Sequence, residues 1–117
     1  MAKDDYFPML YKLLKYLYRC LKEDRKPDFN ILAPRSKDFP VGEDYFFFLL
    51  SNALKDGLIS GLAIQKQIGR RETLKETTGL KITPAGIAYL EENSLMRKVG
   101  EHLGSAAEIV ETVIEHL

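Results

Sequence analysis

Apolar residues recur three and four positions apart near the start of the chain. Leu10, Leu13, Leu14, Leu17 and Leu21 share one face, and Lys12, Lys15, Arg19 and Lys22 stay out of it, so the spacing predicts an amphipathic first helix. Asp4 or Asp5 is placed to cap it, and Pro8 falls in its first turn, where proline is tolerated. Tyr6, Tyr11, Tyr16 and Tyr18 flank the stripe, as tyrosines at the margin of a core do. The same recurrence returns at Phe46, Leu49, Leu50, Ala53 and Leu54, in a helix that opens at Glu43 and closes at Asp56-Gly57. Leu58 to Ile64 is a short apolar run and reads as a strand. Arg70 to Gly79 is polar and ends in Thr77-Thr78-Gly79, read as the turn before a returning strand at Leu80-Lys81-Ile82. Thr83-Pro84 then starts a helix, with a hydroxyl N-cap and proline at the first helical position; Ile87, Tyr89 and Leu90 are its inward residues.

Two stretches depart from this regularity. Pro27, Pro34 and Pro40 break the segment between the first two helices, leaving room only for a turn or two of helix at Asp28–Leu32, capped by Asp28. Phe29, Ile31, Leu32 and Phe39 still require burial, so the segment reads as a packed connection. Phe46-Phe47-Phe48 cannot all enter one stripe, and Phe47 or Phe48 must meet the connection, the C-terminal helix or a partner. At the other end, Met96, Val99, Leu103, Ala106, Val110, Val113 and Leu117 form a heptad-like seam on a helix capped by Ser94. Gly100 and Gly104 admit close approach of another element. The chain thus divides into a domain at 1–93 and a C-terminal helix at 94–117. The seam predicts a homodimer; the competing arrangement folds this helix back onto the first.

Length and composition narrow the class without naming a substrate. A chain of 117 residues forms one core, and Lys+Arg 17 against Asp+Glu 17 leaves no global field for a polyanion. Charge is local: Lys66, Arg70, Arg71, Lys75 and Lys81 against Glu72 and Glu76 give residues 60–83 a net +3, whereas residues 28–59 carry −2. A lone Cys20, no apolar run of membrane length and no signal-peptide pattern at the start place the chain in the cytoplasm as an expectation. Cys20 has no histidine beside it, and His102 and His116 lie too far apart to chelate together. With no phosphate loop, nucleophile elbow or metal-ligand spacing, the expectation is a non-enzyme without cofactor, metal or evident small-molecule substrate.

The order helix, short helix, helix, hairpin, helix is that of a winged helix-turn-helix, an α+β and mostly helical class, here with an added C-terminal helix. Leu80-Lys81-Ile82-Thr83-Pro84-Ala85-Gly86-Ile87-Ala88-Tyr89-Leu90, together with Leu54-Lys55-Asp56-Gly57-Leu58-Ile59-Ser60-Gly61, is similar to the YjcQ-like family of small winged-helix proteins from bacteria and prophages. Asp5-Tyr6-Phe7 and the stretch from Tyr11 to Lys22 also resemble its members, so that the likeness spans most of residues 4–96. It implies a winged-helix fold in a phage or prophage setting. In a DNA-binding winged helix the third helix enters the major groove and the wing reaches phosphate or the minor groove. On double-stranded DNA the wing candidates are Lys66, Arg70, Arg71 and Lys75, and the helix candidates Ser51, Asn52 and Lys55, with Asn52 suited to adenine. Against this, Glu43 and Asp44 at the start of that helix repel phosphate. Two functions follow: a transcription-regulator-like DNA-binding protein, or a protein-interaction module, such as a phage accessory or assembly factor, on the same scaffold.

Overall fold

The first helix, α1 (Tyr6–Lys22), runs through the centre of the molecule and touches every other helix among the described residues and the second strand. The computed structural model describes residues 2–103. Met9, Leu10, Leu13, Leu14 and Leu17 are buried as their spacing requires, but the buried face is wider than the leucine stripe. Tyr16 and Lys12, one turn apart on α1, are buried too. Leu21, expected inside, is 43% exposed. The helix is already closing there: Asp24 takes φ +54°, its N–H donates to the Leu21 carbonyl (3.3 Å), and the Arg25 N–H donates to the Cys20 carbonyl (2.9 Å).

The connection at 23–42 forms turns and no helix. The Ile31 and Leu32 amides both donate to the Asp28 carbonyl at 3.0 Å, and the Asp28 carboxylate accepts from the Asn30 amide at 2.8 Å; the chain then leaves for Pro34. Burial still fixes the segment, with Leu32 at 3% exposure and Phe39 at 0%. Its two ends are pinned to α1: the Asp28 N–H donates to the Tyr16 hydroxyl at 2.8 Å, and Lys12 Nζ donates to the Asp38 carbonyl at 2.5 Å. The burial that makes these contacts raises the Tyr16 hydroxyl to about 12 and lowers the Lys12 ammonium, the latter partly opposed by the Asp38 carboxylate.

Helix α2 (Glu43–Lys55) ends as its sequence predicts. Gly57 sits at φ +74°, the Gly57 and Leu58 amides donate to the Leu54 and Ala53 carbonyls (3.0 and 2.9 Å), and the chain enters the hairpin of β1 (Ile59–Gln65) and β2 (Thr73–Ile82). The hairpin corrects the sequence reading. Its reversal lies at 66–72, around Gly69 (φ +75°), and Thr77-Thr78-Gly79 belongs to the second strand. The strands pair antiparallel as Ser60↔Lys81 and then Leu62↔Glu76, so residues 77–80 bulge opposite Gly61. Gly61, at φ +89°, passes so near Gly79 that a Cβ would lie 2.0 Å from the Gly79 carbonyl oxygen. The bulge closes when the Leu80 amide donates to the Glu76 carboxylate at 3.1 Å. Ile59 and Leu62, three apart and not two, consequently both pack on the core.

Thr83 does what its position promised: its hydroxyl accepts from the Gly86 amide (3.0 Å) and opens α3 (Pro84–Glu92). The cap of α4 (Ser94–Leu103) is not Ser94 but Asn93, whose carboxamide oxygen accepts from the Leu95 and Met96 amides at 2.9 and 3.2 Å. Helix α4 folds back onto α1, burying Met96 (0%), Val99 (0%) and Leu103 (4%) in the core of the same chain, and Gly100 abuts the Tyr11 ring. For these three residues the predicted dimer seam is therefore corrected: they are intramolecular core. Ala106, Val110, Val113 and Leu117, the remainder of that seam, lie outside the described residues. The arrangement is α+β and mostly helical, four helices and a two-stranded sheet among the described residues, compatible with a winged-helix-like fold. None of these helices is long and apolar enough to cross a membrane.

Candidate functional site

Lys66, Arg70, Arg71, Lys75 and Lys81 are all exposed on the hairpin, and the structure sorts them. Arg71 reaches across to the N-terminus of α2, 2.8 Å from the Asp44 carboxylate and 3.6 Å from that of Glu43, which Arg35 also approaches at 3.6 Å. Lys66 pairs with Glu72 at 3.3 Å. The side chains of Arg70 and Lys75 have no ion-pair partner among the described residues. Exposed pairs like these are individually weak, but they place carboxylates beside half of the wing's charge and blunt its positive field. At the tip, the Arg70 amide donates to the Gln67 carbonyl (3.0 Å) and leaves Ile68 wholly exposed.

The candidates on α2 fare differently. Ser51 is 3% exposed and its hydroxyl donates to the Phe48 carbonyl at 3.3 Å, so it is removed as a base-reading residue. The Asn52 carboxamide donates to the same carbonyl at 2.8 Å and lies along its own helix. Lys55 is exposed, next to Asp56 at the helix end. Arg71 touches the opposite end of α2, about 12 Å away along the axis from Asn52 at the usual helical rise. The wing and helix candidates thus do not converge on one small site.

What the outer face of α2 does present is aromatic, and the sequence reading located only its centre. Phe48 is 55% exposed and meets Tyr6 edge-on at 5.6 Å; Tyr6 meets Phe7, 39% exposed, at 5.1 Å; Tyr45 is 37% exposed. The triple phenylalanine was the available signal, and Phe48 is its outward member, while Phe46 stacks edge-on against Phe39 at 5.6 Å. Carboxylates surround the patch. The Tyr6 hydroxyl is pushed up by burial and then by Asp56, and the Tyr45 hydroxyl by burial and then by Asp5 and Asp4.

The third phenylalanine, Phe47, turns toward a cleft of about 440 Å³ between α2, the connection and the hairpin. Phe29, Leu32, Phe46, Leu62 and Leu74 supply most of its remaining apolar wall, and Glu43, Arg71, Glu72 and Glu76 its charged margin. Among the described residues no cluster of histidine, cysteine and carboxylate side chains could hold a metal ion.

A helical core carrying one hairpin, with an aromatic outer helix face and a cleft behind it, defines a small α+β protein compatible with a winged-helix-like build. The family described as YjcQ protein matches residues 11–109. The chain belongs to the YjcQ family. No curated protein and no solved structure matches it significantly.

Proposed function

We propose that this protein is a non-catalytic interaction module that binds a cationic segment of another protein on the outer face of α2. One observation carries the reading: the helix face that a DNA-binding winged helix would lay in a groove offers Tyr45, Phe48 and Tyr6 beside Asp4, Asp5 and Asp56, with Lys55 at its far end. Aromatic residues are enriched where proteins meet, and a guanidinium or ammonium gains from both the ring faces and the carboxylates. Double-stranded DNA is the competing partner, and Arg70, Lys75 and Lys55 are the cations that support it. Self-association is a further alternative, with a second copy occupying the same patch.

Fluorescence anisotropy tests this with two probes, a mixed-sequence DNA duplex at low and moderate salt and a peptide alternating arginine and leucine. The peptide is expected to bind, and Phe48→Ala to weaken it about tenfold, roughly 1.4 kcal/mol. The duplex is expected not to bind. Salt-dependent duplex binding that falls on joint Arg70→Ala and Lys75→Ala substitution overturns the proposal in favour of DNA. A dimer in light scattering that Phe48→Ala dissociates would replace the foreign partner by the chain itself.

A further inference from the structure

We infer that the cleft between α2, the connection and the hairpin is a binding site for an uncharged, largely aromatic small molecule. The cleft lies where the proline-broken connection, and not a helix, faces the Phe47 flank of α2, with the hairpin closing its other side. Its volume of about 440 Å³ lies in the range of small-molecule sites, roughly 300–1,000 Å³. Phe29 stands at its lip with half of its surface exposed, and Phe46 and Phe47 offer further ring surface inside.

The charges at the margin select the ligand. Three of the four charged lining residues are ion-paired within the chain, Glu43 and Arg71 with each other and Glu72 with Lys66, and the Glu76 carboxylate accepts from the Leu80 amide. A charged ligand would give up its hydration in a mainly apolar cleft whose margin charges are for the most part already paired, whereas an uncharged ring loses little and gains apolar contact. Thr73 is the single uncharged polar side chain on the wall, which suits a molecule with one hydroxyl or amide. Such a ligand touches α2, the connection and the hairpin at once and ties the wing to the core.

Titration of the full chain with naphthol, naphthoate and naphthylmethylamine, followed by amide NMR shifts, tests site and class together. Naphthol is expected to saturate, with the largest shifts at Phe47, Leu62 and Leu74, and to bind about tenfold more tightly than either charged analogue. Leu74→Trp fills the cleft and should abolish the shifts. Phe29→Ala, at a half-exposed lip that does not hold the fold, should weaken naphthol roughly fivefold. Absence of saturable binding, shifts that do not centre on these residues, or affinity unchanged in Phe29→Ala overturns the site. Equal or tighter binding of a charged analogue overturns the ligand class.

Discussion

The connection at 23–42 and the hairpin at 59–82 hold their chains in place by opposite means. The connection has no regular structure, yet Leu32 and Phe39 are buried and both its ends are bonded to α1 through Tyr16 and Lys12. The hairpin has an antiparallel ladder interrupted by one bulge, yet beyond that bulge most side chains meet water and the visible side-chain contacts are exposed ion pairs. Backbone hydrogen bonding and burial are separate sources of order, and in this molecule they have been assigned to different segments. Substitutions in the irregular segment should therefore cost more than substitutions in the regular one.

The sharpest check is Phe39→Ala, which empties a position with no solvent exposure under the Lys12 side chain and the Phe46 ring. Urea unfolding should show a loss of about 3–5 kcal/mol. Tyr16→Phe comes next, because it leaves the half-buried Asp28 amide without its partner, with an expected loss of roughly 0.5–1.5 kcal/mol. It also carries a pH signature. The Tyr16 hydroxyl titrates near 12 in the fold and at the ordinary tyrosine value of 10.0 once unfolded, so between those values the folded chain holds the proton that the unfolded chain has released. Stability is complete below pH 10 and falls as pH rises toward 12, and Tyr16→Phe should reduce that fall measurably.

Tyr16 and Lys12 show where the sequence stops being legible. Thr83-Pro84, Gly57 and the leucine stripe were legible because each is a local signal, satisfied within a turn of chain. Tyr16 and Lys12 were placed at the margin and outside because their partners lie 12 and 26 residues away, and nothing near them in sequence announces it. The hairpin reversal was misplaced for a related reason: Thr77-Thr78-Gly79 has turn composition, but the bulge depends on Gly61 across the ladder. At the candidate site, the run of three phenylalanines pointed to an outward ring. The pairing of Arg71 with Glu43 and Asp44, which weakens the DNA reading, is a contact between distant elements that no spacing could reveal.

Smaller effects complete the comparison. Asp24→Gly should stabilise the start of the connection by about 0.5–1 kcal/mol, since glycine relieves the left-handed conformation at φ +54°, and thermal unfolding will read the gain. Ile68→Ser at the hairpin tip should change stability by less than about 0.5 kcal/mol. A loss above about 1 kcal/mol there would mean that the tip has a packing partner and would break the contrast between the two regions.

The junction of α2, β2 and α3 bears on how this family can vary. The Thr83 amide donates to the Leu58 carbonyl at 3.0 Å and its hydroxyl to the Gly57 carbonyl at 2.5 Å, so both ends of the hairpin are fastened at one point on the core. Gly86 sits so close to that point that a Cβ would fall 2.1 Å from the Leu58 carbonyl oxygen. A loop with its ends clamped in this way can be lengthened cheaply, by about 0.6 kcal/mol for each doubling of its length. The hairpin tip around Gly69 is thus the place where the chain can accept insertions, a peptide tag or a new recognition element, while the clamp keeps the rest of the molecule unaware of the change.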